Sequence, residues 1–140
     1  MISRDDIVAS ARDLIGTPWR HQGRTRAGLD CVGMVVLICR ERGLSDYDVA
    51  GYATDPNFDF LRHMTAGGGL PVPLTEAGPG DILALSEMAR PCHVGIKSSR
   101  HGTDYVIHAH ATRRKVLEEP LAAVLQNNRL VAAFRIPGVG

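Results

Sequence analysis

The sequence predicts an α+β domain spanning residues 1–140, with helices laid on a central antiparallel sheet. Three observations carry this. Apolar residues recur at helical spacing over 2–15, and an almost wholly apolar run fills 31–40. After Gly78-Pro79-Gly80-Asp81 the pattern changes to short strand-length runs separated by polar or turn-forming segments. Helices first and strands afterwards give helices followed by an antiparallel meander.

In residues 2–15, Ile7, Ala11 and Leu14 define one helix face. Ser3 with Asp5 and Asp6 suits a cap and first turn, and Gly16 with Pro18 stops the helix. The stretch "GTPWRHQGRTRAG" (16–28) has no period and reads as loop. The second helix, 31–40, is apolar nearly all round and therefore buried on most faces, and it ends at Gly43. Residues 45–80 are turn-dense and read as irregular or weakly helical. Strands are predicted at 81–85, 93–97, 105–109, 115–119 and 130–136, with a short helical insertion in 120–128.

Composition bounds the function. The chain carries 16 Lys plus Arg against 15 Asp plus Glu, a net +1, which gives no argument for a nucleic-acid or membrane-surface partner. No apolar stretch reaches membrane-span length. The N-terminal residues lack the apolar segment and cleavage site of a signal peptide, which predicts synthesis in the cytoplasm without export. Cys31, Cys39 and Cys92 form no CxxC pair and fit neither a disulfide framework nor a zinc ribbon.

Cys31 stands at the start of the buried helix, directly after Asp30. There the first-turn N–H groups and the helix dipole favour a thiolate, the nucleophilic form. The plain alternative is a buried structural thiol, which is the reading for Cys39. His93, Gly95 and Lys97 share one strand face, with Val94 and Ile96 on the other. In "YVIHAHA", Val106, His108 and His110 also share a face. Folding 93–97 against 105–109 pairs His93 with His108 and Lys97 with Asp104. A register shift of two pairs His93 with His110 instead, and both registers stay open. Either supplies a base and an orienter to accompany a nucleophile.

"GTPWRHQGRTRAGLDCVGMV", "GDILAL", "HVGIK" and "VIHA", in that order, resemble the NlpC/P60 family of papain-like cysteine peptidases over roughly residues 5–136. The wording around Trp19 and Cys31 looks most like the branch found in phage tails and gene transfer agents. The resemblance implies a papain-like fold, a helix bearing the nucleophile packed on a five- or six-stranded antiparallel sheet. It implies a catalytic Cys31, a general base His93 and a third polar residue, His108. It also implies hydrolysis of peptidoglycan stem peptides, typically between D-glutamate and a diamino acid, with no metal or organic cofactor. Tail hub or baseplate proteins are the implied partners, and a phage-like tail particle the implied location. Trp19, Gln22 and Asp30 are the candidate substrate contacts.

Two residues depart from the family pattern. Trp19 stands where a tyrosine is usual, and an indole N–H donates but neither accepts nor titrates. Val32 stands where serine is frequent, which takes away a hydroxyl that helps bind a free amine in cell-wall recycling members. Asp30 is kept, although helix capping alone would explain it. Three further readings fit parts of the same pattern. A zinc site would draw on Cys31, Cys92, His93, His101, His108 and His110 but lacks a tightly spaced ligand pair. A tail component of the same fold could have lost turnover. An amidase or acyltransferase would share the nucleophile. "RHQGRTR" (20–26) reads as a groove for an anionic peptide or as a solvated loop, and "ATRRKVLEE" (111–119) as a surface strand edge of mixed charge.

Overall fold

Ser3 opens the first helix by reciprocal capping. The computed structural model describes residues 1–49, 60–87 and 90–140, and at 60, 87 and 90–92 only the backbone. In α1 (Arg4–Asp13) the Ser3 hydroxyl accepts from the Asp6 N–H at 3.1 Å, and the Asp6 carboxylate accepts from the Ser3 N–H at 2.8 Å. Ile7, Val8 and Ala11 are buried on the expected face. The 16–28 segment is more ordered than a loop, since Arg24–Thr25 (β1) and Gly28–Leu29 (β2) form a small hairpin. The second helix, α2 (Cys31–Glu41), buries every residue from Val32 to Ile38.

Within 45–80 the structure places α3 (Phe60–Ala66), β3 (Leu70–Val72) and a 3-10 turn at Leu74–Glu76. Residues 50–59 of that stretch lie outside the described residues, as does the Cys92 side chain. Then follow β4 (Ile82–Glu87), β5 (Arg90–Arg100), β6 (Thr103–His110), β7 (Lys115–Pro120), α4 (Leu121–Val124) and β8 (Arg129–Arg135).

The strands make a six-stranded antiparallel sheet in the order β3-β8-β4-β5-β6-β7. The expected meander therefore holds only for β4 to β7. The chain returns through α4, whose Leu121 and Val124 pack with Leu83, Leu85, Val106 and Ala133. That burial carries β8 back beside β4, where Ile82 pairs with Phe134 and Leu83 with Ala133. A larger cluster joins α1 and α2 to Val94, Ile96, Ile107, Ala109 and Val116 of the sheet.

The β5–β6 hairpin closes more tightly than "SSRHGTD" suggested. His101 and Gly102 have φ of 54° and 78°, the two positive values of a type I′ turn. This fixes Arg100 opposite Thr103 and Lys97 opposite Val106, the shifted of the two registers considered. The Gly-Asp of "GPGD" is structural. Asp81 is fully buried, takes both Arg135 nitrogens at 2.9 Å, and accepts from the Gly78 N–H at 2.9 Å. These partners hold its carboxyl below the usual range against the opposing effect of burial.

Candidate active site

A ladder of backbone bonds sets the start of α2 at one end of the sheet. Val116 N–H donates to Thr17 O, and Trp19 N–H to Arg114 O, both at 2.9 Å. Leu29 N–H then donates to Pro18 O at 2.9 Å, and Arg20 N–H to Leu29 O at 3.1 Å. The chain thus steps from β7 through 17–19 to Leu29, two residues before Cys31. This is the end of the sheet opposite the His101-Gly102 turn, where β5 begins at its His93 end and β6 finishes at His108 and His110. The body of α2 lies against β5 and β6.

Cys31 is the first residue of α2 and is half-buried. Asp30 caps the helix, accepting from the Gly33 N–H at 2.7 Å. Its other oxygen accepts from the Gln22 N–H at 2.8 Å, and Arg24 pairs with the capping oxygen at 3.2 Å. Asp30 is only 5 % exposed, so its carboxylate acts on the chain itself, locking the 22–24 loop to the helix start. Gly33 is where that loop touches the helix. A Cβ there would run into the Gly23 carbonyl oxygen and lie 3.1 Å from the Asp30 carboxylate. Gly33→Ala is expected to cost about 2–3 kcal/mol, read as a lowered urea midpoint.

His93 and His108 meet. Their nitrogens, His93 Nε2 and His108 Nδ1, are 2.6 Å apart, with rings edge to face at 4.9 Å between centroids. The contact is diagonal, because the observed register, continued past Ile96, sets Gly95 and not His93 across from His108. A Cβ on Gly95 would lie 3.1 Å from His108 Cβ and 2.7 Å from Val106 Cγ2. Gly95 therefore clears the space that His108 occupies on its way to His93. His110 meets His108 edge to face at 5.4 Å between centroids, and it is His108 whose nitrogen His93 contacts.

Behind His108 stands a residue the sequence reading missed. Glu119 Oε2 lies 2.7 Å from His108 Nε2, and the Glu119 side chain is 15 % exposed. Strand alternation puts Lys115, Leu117 and Glu119 on one face of β7, and that signal was available once β7 was paired with β6. β7 is an edge strand of the sheet, as expected, and residues 111–115 are exposed, but the strand beyond Lys115 is not a solvated surface. Val116 and Leu117 are buried, and Glu118 is sequestered by Ser98 at 2.6 Å together with Arg12 and Arg100.

Burial, together with the neighbouring His108 and His110, pushes the His93 pKa down to about 3, with Glu119 acting in the opposite sense. Burial, then His110 and Arg113, pushes that of His108 down to about 4. Both rings are neutral near pH 7. An unfolded chain binds protons at these histidines from about pH 6.5 downward while the folded chain does not. Their contribution to stability is therefore present above pH 6.5 and lost as the pH falls toward 4. The expected loss is roughly 3 kcal/mol for His108 alone, measurable from urea unfolding at pH 7, 5 and 4.

The remaining expectations divide. Trp19 is half-buried, with the Arg114 guanidinium 5.3 Å from its ring centroid and His21 stacked at 6.5 Å. Gln22 adopts a positive φ of 57°, and its side-chain amide lies 3.3 Å from the His21 ring. Val32 is buried and faces an apolar hollow with Val35, Val36, Ile82 and Ile136. Cys39 lines the same hollow, and burial pushes its thiol up to about 11, as for a structural cysteine. Arg24 and Arg26 are taken up within the chain, Arg24 pairing with Asp30 and Asp48 and Arg26 with Glu41 and Asp13, while Arg20 is exposed. Among the described residues no group of three or more His, Cys, Asp or Glu is arranged to hold a metal ion. Nor is any helix among them long and apolar enough to cross a membrane.

The sequence profile of the NlpC/P60 family matches residues 16–135, and the chain belongs to that family. Its fold is the papain-like fold of the family. It is similar to the NlpC/p60 domain of the peptidoglycan hydrolase SagA at 22 % identity and TM-score 0.67, covering 95 % of this chain and 98 % of that one. An N-acetylmuramoyl-L-alanine amidase from Bacteroides uniformis is 12 % identical at TM-score 0.69, covering 95 % and 98 %. An NlpC/P60 family protein from Bacillus cereus is 19 % identical at TM-score 0.67, covering 96 % of this chain and 40 % of that one. No curated protein matches the sequence at a significant level.

Proposed function

We propose that this protein, as a single domain over residues 1–140, is a cysteine endopeptidase that hydrolyses peptidoglycan stem peptides with Cys31, His93 and His108. The observation that carries the reading is the 2.6 Å contact between His93 and His108, at the sheet end where α2 begins with Cys31. Family membership supports it, as does the likeness to a peptidoglycan hydrolase and an amidase.

In the proposed reaction His93 Nδ1 takes the thiol proton of Cys31, and the thiolate attacks the scissile amide carbonyl. The Cys31 backbone N–H, at the positive end of α2, donates to the developing oxyanion. Collapse breaks the C–N bond, with His93 returning its proton to the leaving amine and a thioester left on Cys31. Water, deprotonated by His93, attacks the thioester and releases the carboxylate and the thiol. His108 holds the His93 ring through Nε2, which leaves Nδ1 directed to the reaction.

The bond proposed is that between D-glutamate and a diamino acid. Trp19 and Gln22 are proposed as walls of the peptide groove, and Asp30 as the residue that fixes its floor. Buried Val32 offers no hydroxyl to a free amine, so cleavage is not expected to require a free stem-peptide N-terminus. The wording around Trp19 and Cys31 supports a place in a phage-like tail, with hub or baseplate proteins bringing the domain to the wall. Incubation with defined disaccharide tri- and tetrapeptides, followed by mass spectrometry, tests the bond. Fragments ending at D-glutamate support it, whereas cleavage between the sugar lactyl group and L-alanine would replace it with an amidase reading.

A further inference from the structure

We propose that Glu119 is a positioning residue of the site, fixing the tautomer of His108 and, through it, the nitrogen of His93 that can act as a base. The inference rests on the peptidase reading for its kinetic consequence, but the proton arrangement follows from the geometry alone.

A carboxylate can only accept hydrogen bonds. With Glu119 Oε2 at 2.7 Å from His108 Nε2, that nitrogen carries the proton. A neutral imidazole has one N–H, so His108 Nδ1 is then an acceptor. At 2.6 Å from it, His93 Nε2 must be the donor. His93 Nδ1 is left with its lone pair, which is the form a general base needs. Reverse the first proton and every later one reverses. His108 Nδ1–H would donate to His93 Nε2, and the proton of neutral His93 would sit on Nδ1, where the thiol has to deliver its own.

The surroundings leave Glu119 as the group that decides. His108 is 3 % exposed, so water does not set its tautomer. Around the pair stand His110 on β6, Arg113 in the turn after it and Glu119 on β7. The first two bring no negative charge. Glu119 also favours the protonated form of His93 against the opposing influence of His108 and His110, so it supports the imidazolium that forms when the thiol gives up its proton.

Nitrogen-15 spectra of the histidine rings in the wild-type protein test the arrangement without any substrate. His108 is expected to carry its proton on Nε2, and a proton on Nδ1 would overturn the proposal. In Glu119→Gln the amide can donate or accept, so His108 is expected to populate both tautomers. There kcat is expected to fall on the order of 10²-fold with KM little changed. A carboxylate-to-amide change directly behind a catalytic histidine costs about 10⁴, and here a second ring intervenes. Because Glu119 acts through His108, Glu119→Gln is expected to add nothing in a His108→Ala background. An unchanged kcat in Glu119→Gln, or full additivity with His108→Ala, would overturn the proposal. If the wild type hydrolyses no peptidoglycan, the peptidase reading fails by itself, and the ring-nitrogen spectra still decide the role of Glu119.

Discussion

Replacing Cys31 with alanine is expected to reduce peptide release from peptidoglycan to background, on the order of 10⁶-fold, the scale on which a triad nucleophile is lost. The mutation removes one sulfur from a half-buried position at the first residue of α2. The helix keeps its Asp30 cap and its buried face from Val32 to Ile38, so the unfolding midpoint is expected to stay within about 1 kcal/mol of wild type. Cys39→Ala gives the contrast. That thiol lines the apolar hollow and stays protonated, so its loss is expected to lower stability modestly and leave turnover intact. Initial rates of dye release from labelled peptidoglycan, beside urea unfolding, separate the two effects.

His93→Ala is expected to cost nearly as much. In the proposed reaction that ring takes the thiol proton, protonates the leaving amine and activates water. Members of such a set act as a unit, so Cys31→Ala/His93→Ala is expected to be no slower than either single variant. His108→Ala is expected to cost less, because His93 remains and loses only its orienting partner. Alkylation of Cys31 by iodoacetamide gives a second reading of the same coupling. It is expected to slow in His93→Ala at neutral pH, while the slow alkylation of Cys39, whose thiol stays protonated, is unchanged. Equal Cys31 alkylation rates in wild type and His93→Ala would show that His93 does not serve the thiol.

What could be read in the sequence was the part encoded locally. The α1 cap, the apolar α2 behind Asp30 and the alternation of "HVGIK" and "VIHA" are short-range patterns, and each appears where expected. The return of β8 to β4 was not legible, because strand order depends on which apolar faces find each other across α4. Strand alternation alone allows two hairpin registers, and the His101-Gly102 turn selects one. Even then the contact skipped the directly opposed position, since Gly95 opens the diagonal from His108 to His93. Glu119 escaped notice because adjacent Glu118 and Glu119 look alike in the chain yet face opposite ways. Glu118 goes to Arg12 and Arg100, and Glu119 to His108. Asp30, expected at the substrate, is found bonded to the loop and helix around it. The bridge from β7 through 17–19 to Leu29 left no periodic trace, being one or two residues long at each step.

The most direct measurement of the central claim is digestion of purified sacculi by wild type and by Cys31→Ala, with released muropeptides identified by mass. If Cys31 is the nucleophile of a peptidase, wild type releases new fragments cut within the stem peptide, and Cys31→Ala protein that unfolds at the wild-type urea midpoint releases none. Identical fragments from both proteins, or none from a correctly folded wild type, would contradict it.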